Sequence, residues 1–210
     1  MLSLRVTGFD LPPSFCDVNS PPPAPDQIKV RIKACGLNFA DLLLLKGTYQ
    51  DTPALPFTPG LEVAGEVIEC GAEVFNFTPG DRVAVFCGSG GLAEEGVFEA
   101  HRAIPLPDSI SYEEAAALLI AYGTSHMALD HCARLQPGET LLVSGAAGGV
   151  GLTAVEIGKL MGATVIAQAR GRDKLEVAAA AGADHLIDAG EDLRSAVKAL
   201  GGADVVYDAV

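Results

Sequence analysis

Two rhythms of apolar and polar residues divide the chain. In the first half, residues 2–7 and 28–34 alternate, as in Ile28-Lys29-Val30-Arg31-Ile32-Lys33. That is the period of strands buried on one face. A stiff, extended connection, Pro21-Pro22-Pro23-Ala24-Pro25, lies between them. Further strands are predicted at 62–69 and 82–86, each introduced by turn residues, Thr58-Pro59-Gly60 and Thr78-Pro79-Gly80-Asp81. Many short strands between Pro and Gly turns predict a compact β-rich domain. From Ser111 the signal turns helical, because Ser111 with Glu114 behind it forms a capping box. The predicted boundary lies between Pro105 and Ser111, giving domains of residues 1–110 and 111–210.

In the second half a short apolar run, Leu141-Leu142-Val143, meets the small residues Ser144-Gly145-Ala146-Ala147-Gly148-Gly149. Behind them Val150, Ala154, Ile157 and Met161 recur at spacings that share one helix face. Strands at 164–169, 185–187 and 204–207 then alternate with helices at 174–181, closed by Gly182, and 191–200. This alternation predicts an α/β fold built on a parallel, doubly wound sheet. A strand, tight turn and helix N-terminus is the geometry that receives a diphosphate. Gly148 admits the phosphates to the backbone, and Gly151 allows close packing of helix and strand. The dinucleotide fingerprint asks for three glycines and Ala146 stands where the first should be, so a plain packing turn is the competing reading. The last residues, Asp204-Val205-Val206-Tyr207-Asp208-Ala209-Val210, read as an inner strand. The predicted sheet thus has four strands where a complete dinucleotide fold has about six. The sequence is therefore expected to be a fragment, truncated after the fourth strand, that binds nucleotide weakly and reduces little.

Composition narrows the partners. The 210 residues are 49% hydrophobic, with a mean hydropathy of +0.31, enough to bury a core. No apolar run approaches the ~20 residues of a membrane span. The start, Met1-Leu2-Ser3-Leu4-Arg5, lacks the pattern of a signal peptide, so a cytoplasmic protein is expected. A net charge of −13 disfavours nucleic acid and anionic membranes as partners. Cys16, Cys35, Cys70, Cys87 and Cys132 are scattered, which fits small core residues in a reduced compartment. His126 and His131 are five residues apart, a poor ligand spacing, and no metal is expected.

Five segments together resemble one family. They are Ala34-Cys35-Gly36-Leu37-Asn38-Phe39-Ala40-Asp41, Leu55-Pro56-Phe57-Thr58-Pro59-Gly60-Leu61-Glu62-Val63-Ala64-Gly65, Pro79-Gly80-Asp81-Arg82-Val83, Gln136-Pro137-Gly138-Glu139-Thr140-Leu141-Leu142-Val143 and Ala146-Ala147-Gly148-Gly149-Val150-Gly151. In this order they resemble the zinc-independent quinone oxidoreductase branch of the medium-chain dehydrogenase/reductase superfamily. The resemblance implies a GroES-like catalytic domain, then a Rossmann domain, with the active site in the cleft between. It also implies a homodimer in the full-length protein. Zinc-dependent relatives carry ligands where this chain has Asn38 and Leu61; leucine cannot ligate, and asparagine does so poorly.

Candidate site residues follow. The diphosphate loop is Ala147-Gly148-Gly149-Val150-Gly151. Past the second Rossmann strand, Arg170, Arg172 and Lys174 offer positive charge to a 2′-phosphate where an NAD site places an acid. The resemblance matches Lys174 to a phosphate-contacting lysine, so NADPH is the expected cofactor. A solvated basic helix start is the alternative, and a tyrosine that relatives often carry near Ala189 is missing. By resemblance, Asn38 lies near the nicotinamide ribose and Asp41 orders its loop; both could instead cap a helix beginning at Phe39. Tyr49 matches a cleft tyrosine able to donate a hydrogen bond or proton, or is a half-buried aromatic. Thr124 resembles a residue beside the nicotinamide, or caps a helix. The expected activity is NADPH-dependent hydride transfer to a quinone or enone. Enoyl-thioester or alkenal reduction, and a non-catalytic NADPH-binding regulatory role, remain alternatives.

Overall fold

The computed structural model describes all residues, Met1–Val210. They form two compact units, Met1–Ile120 and Ala121–Val210.

The first unit opens with β1 (Leu2–Arg5), which pairs antiparallel with β2 (Ser14–Asp17). Its main sheet is built from β3 (Gln27–Gly36), β4 (Glu62–Cys70), β5 (Arg82–Phe86), β6 (Glu95–Glu99) and β7 (Ala103–Pro105), in the order β6-β3-β4-β5-β7. The alternation seen in the sequence becomes burial. Ile28 and Val30 of β3, Val63 and Val67 of β4, and Val83 and Val85 of β5 form one core with Phe77 and Phe98.

Helix α1 (Phe39–Leu45) leaves β3, and α2 (Tyr112–Ala116) begins behind the Ser111 cap. The Ser111 hydroxyl accepts from Glu114 N at 3.1 Å, and the Glu114 carboxylate accepts from Ser111 N at 2.9 Å. Ala115 and Ala116 then pack on Ala64 of β4 and Ala84 of β5. This packing draws α2 into the first unit, so the compact units divide after Ile120 and not at residue 110. The periodicity did not reveal β2, β6 or β7. Strands β6 and β7 are the two edges of the sheet, short and carrying Gly96 and Pro105, residues that edges tolerate and sequence patterns read as turns.

The second unit starts with α3 (Ala121–His126), which runs into a turn of π-helix at Met127–Cys132. Strands β8 (Thr140–Ser144), β9 (Thr164–Ala169), β10 (His185–Asp188) and β11 (Val205–Asp208) alternate with α4 (Gly149–Leu160), α5 (Arg172–Ala180) and α6 (Leu193–Ala199). All pairings are parallel, in the order β10-β9-β8-β11. One face of the sheet packs Leu141, Val143 and Val165 against Ala154, Ile157 and Ala178 of α4 and α5. Its other face packs Leu142, Ile166 and Ile187 against Leu193, Ala196 and Val197 around α6. Helices on both faces make the sheet doubly wound.

The turn from β8 into α4 has no spare room. A Cβ on Gly151 would stand 2.2 Å from the Gly145 carbonyl oxygen. One on Gly158 would stand 2.6 Å from Leu141 Cδ2. The close approach at Gly151 is therefore to the turn, and Gly158 is where helix meets strand. Gly151→Ala is expected to destabilise the protein by about 1–3 kcal/mol, since backbone on both sides must move. Gly149→Ala is the control, because nothing lies within 4 Å of its Cβ position; it should stay within about 0.5 kcal/mol or gain from helix propensity. Urea unfolding of the two variants measures the difference, and equal stabilities would contradict the account.

Candidate functional site

Going from β8 to β9 and β10 the chain winds outward on one side; it then crosses to place β11 on the other side of β8. Such a switch point leaves a crevice at the carboxyl ends of the strands, where open parallel sheets bind ligands. A pocket of about 570 Å³ occupies that place. Ser144, Gln168 and Asp208, the strand ends, meet Gly145, Ala147 and Gly148 of the turn there, with Arg170, Lys174 and Ala189 along the wall.

The glycines divide the labour of the turn. Gly145 has φ +67°, a left-handed conformation that side chains disfavour. It makes the sharp bend that the fingerprint assigns to its first glycine, one residue before the position read for it. Ala146 is free to carry a methyl, which is fully buried in the core. Gly148 caps α4 in extended backbone and its N–H is held by Gly145 O at 2.9 Å. The N–H groups of Gly149, Val150 and Gly151 open the helix, where no intrahelical acceptor exists for them. The twelve-residue helix adds its dipole. These features fit a diphosphate.

Beneath the turn sits a buried cluster of hydroxyls that the sequence did not single out. Ser125 Oγ donates to Val150 O at 2.8 Å and lies 2.8 Å from Thr153 Oγ1 and 3.2 Å from the Tyr207 hydroxyl. The cluster ties α3 and β11 to the first turn of α4. Thr124, its predicted neighbour, is exposed on α3.

The three cations at the β9 exit separate. Arg170 and Lys174 line the pocket. Arg172 donates from Nε to Glu176 Oε1 at 2.8 Å along the exposed face of α5. The loop is pinned by Asp188, which accepts from Gly190 N at 2.8 Å and Gly171 N at 2.7 Å. Those bonds, with a smaller contribution from the Arg170 charge, hold the Asp188 carboxyl below its ordinary range.

In the first unit, two buried carboxylates organise the chain around Asn38. Asp41 accepts from Asn38 N at 2.8 Å and from Gly60 N at 3.0 Å, closing the start of α1 onto the turn before β4. Glu62 accepts from Asn38 Nδ2 at 2.9 Å and from Ile120 N at 3.0 Å. Neither carboxylate meets a cation. Burial therefore pushes both pKa values up, against the pull of these hydrogen bonds, and the charge of Asp41 raises Glu62 further. Glu62 was missed because a glutamate at the head of a strand reads as solvated. Asn38 and Asp41 also border a largely apolar pocket of about 440 Å³, with Leu37, Phe39, Leu42 and Leu45. Tyr49 packs with Val6, Leu44, Phe57 and Leu61. Leu61 is thus core, and no group of three or more His, Cys, Asp or Glu is placed to hold a metal ion.

Residues 24–108 match the alcohol dehydrogenase GroES-like domain, and residues 149–210 match the family described as zinc-binding dehydrogenase. A crystal structure of a probable oxidoreductase from Mycobacterium abscessus superposes with a TM-score of 0.91 at 36% identity, over 98% of this chain and 68% of that one. The quinone oxidoreductase of Thermus thermophilus, solved alone and with NADPH, gives 0.87 at 34% identity, over 98% and 65%. The chain belongs to the quinone oxidoreductase branch of the medium-chain dehydrogenase/reductase superfamily. Its first unit is the GroES-like domain, and its second carries the first four strands of a Rossmann sheet. The quinone oxidoreductase-like protein 2 homolog of Nematostella vectensis is 44% identical over 190 residues, covering 88% of this chain and 52% of the relative. The chain thus spans about half the length of that relative. No helix is long and apolar enough to cross a membrane.

The raised Glu62 carboxyl has a consequence for stability in this family member. A carboxyl whose folded pKa exceeds its unfolded value favours the fold below the unfolded pKa and loses that contribution as pH rises through the folded pKa. Glu62→Gln removes the titration. Its stability relative to wild type, measured by urea unfolding, should therefore rise between about pH 4 and pH 7. A relative stability that falls over the same range would contradict the assignment.

Proposed function

We propose that this chain carries the nucleotide site and part of the substrate machinery of an NADPH-dependent reductase acting on a quinone or a similarly conjugated carbonyl. The observation that carries the reading is the pocket at the switch point, where a glycine turn and helix N-terminus stand opposite Arg170 and Lys174. The turn amides of Gly149, Val150 and Gly151 would hold the diphosphate. Arg170 and Lys174 would meet a 2′-phosphate, and the β9 exit carries no acid at Arg170 to favour the bare ribose of NAD. Bound there, NADPH supplies a hydride, the chemistry that the protein itself lacks.

The chain's own residues then have modest tasks. A quinone spreads the incoming charge over two conjugated oxygens and needs little acid assistance. Tyr49 is the proposed hydrogen-bond or proton donor to that oxygen. Asp41 orders the Asn38 loop through the backbone of Asn38 and Gly60. A small-molecule acceptor, a homodimeric complete protein and a cytoplasmic location belong to the same reading.

The test is quinone-dependent oxidation of NADPH, followed by nucleotide titration of Lys174→Ala. Loss of one charge-assisted contact should weaken NADPH by about tenfold and leave NADH nearly unchanged. A Lys174→Ala protein that binds NADPH as wild type does, or a wild type that oxidises no NADPH with any quinone, would contradict the proposal.

A further inference from the structure

The two cations that line the pocket at the switch point have no anionic partner. Arg170 and Lys174 make no ion pair, whereas Arg172 between them is taken by Glu176. Both ride on one short stretch of backbone that has little to hold it from within. Gly171 caps α5 at φ +85° with no side chain to offer the helix, and nothing lies within 4 Å of its Cβ position. A glycine so placed leaves the turn free to move.

The fixed point lies on the neighbouring strand. Asp188, the last residue of β10, receives Gly171 N on Oδ2 at 2.7 Å and Gly190 N on Oδ1 at 2.8 Å. Its own N–H is held by Glu191 Oε1 at 2.9 Å, and Ala189 N donates to Ala169 O at 2.9 Å. One carboxylate thus joins the β9 exit, carrying Arg170 and Lys174, to the β10 exit, carrying Ala189. All three of those residues line the pocket.

We infer that Asp188 is a positioning residue for nucleotide choice. It anchors the Gly171 turn so that Arg170 and Lys174 stay along the pocket wall, and so sets the preference for a 2′-phosphate over a bare ribose. The inference rests on the proposed NADPH site and deepens it. By charge alone a carboxylate near a phosphate site opposes the ligand. An exposed charge, however, is screened by salt over a distance, while a hydrogen bond to an ionised acceptor fixes the turn directly. The acid that favours NAD stands at the end of the second Rossmann strand; Asp188 stands one strand farther on, with each oxygen already on a backbone N–H.

The experiment is a titration of NADPH and of NADH into wild type, Asp188→Ala and Asp188→Asn. The same Asp188→Ala change is then made in an Arg170→Ala/Lys174→Ala background. Asp188→Ala should raise the Kd for NADPH about fivefold and move that for NADH by less than about twofold. Asparagine keeps one acceptor oxygen and hence one of the two amide bonds. Asp188→Asn should therefore lose about threefold for NADPH, a readout that stands even if the alanine variant folds poorly. Without the two cations, Asp188→Ala should change NADPH affinity by less than about twofold.

Three results would overturn the positioning role and leave the NADPH reading intact. They are an NADPH affinity that holds or rises when Asp188 is replaced, an equal loss of NADPH and NADH, and a loss that persists in full without the two cations. A wild type that binds neither nucleotide, or both equally, removes the NADPH reading and this inference with it.

Discussion

The Rossmann half depends on a single steric constraint, the approach of the α4 backbone to the turn that follows β8. Gly151 has no room for a methyl against Gly145 O, and Gly145 itself sits in left-handed backbone. Together they bring the first turn of the helix directly onto the strand end. The first helix N–H groups, at Gly149, Val150 and Gly151, have no intrahelical acceptor, and Gly145, Ala147 and Gly148 of the same turn line the crevice that the strand order opens beside β8. Ser125, Thr153 and Tyr207 brace the same turn from below, each a hydroxyl with a defined neighbour. The result is a cradle whose polar edges are backbone, the kind of arrangement proposed here to receive a diphosphate.

The GroES-like half solves a different problem. It buries two carboxylates, Asp41 and Glu62, without a basic side chain beside them. Backbone amides of Asn38, Gly60 and Ile120, with the Asn38 side chain, supply the compensation. Such groups cost free energy to ionise, and here they hold a loop and an asparagine in one arrangement. Where zinc-dependent relatives carry ligands, this chain has a positioned amide at Asn38 and a buried hydrocarbon at Leu61.

Much of this was legible in the residues. Strands β5 and β9 begin and end where their periodicity says they should, and the Ser111 capping box is present bond for bond. The family and the two-part architecture followed from ordered motifs. What escaped the sequence depends on contacts distant along the chain. Edge strands β6 and β7 are defined by pairing to β3 and β5, not by an apolar rhythm of their own. Arg172 looked equivalent to Arg170 and Lys174 until its helical partner Glu176 claimed it. Glu62 could not be recognised because its two partners, Asn38 and Ile120, lie far away in sequence. Gly145 lies outside the motif's spacing, which Gly148 and Gly151 fix on Ala146, and only its left-handed backbone marks it as the bend.

The central claim is that the β8–α4 turn receives the diphosphate of a nicotinamide nucleotide. It is tested most directly by titrating NADPH into isotope-labelled protein and following backbone amide resonances. The account predicts saturable shifts concentrated at Gly145, Gly148, Gly149, Val150 and Gly151, with Lys174 and Arg170 responding to NADPH more than to NADH. Amides of the turn that stay in place at saturating nucleotide, while resonances elsewhere move or none move at all, would contradict it.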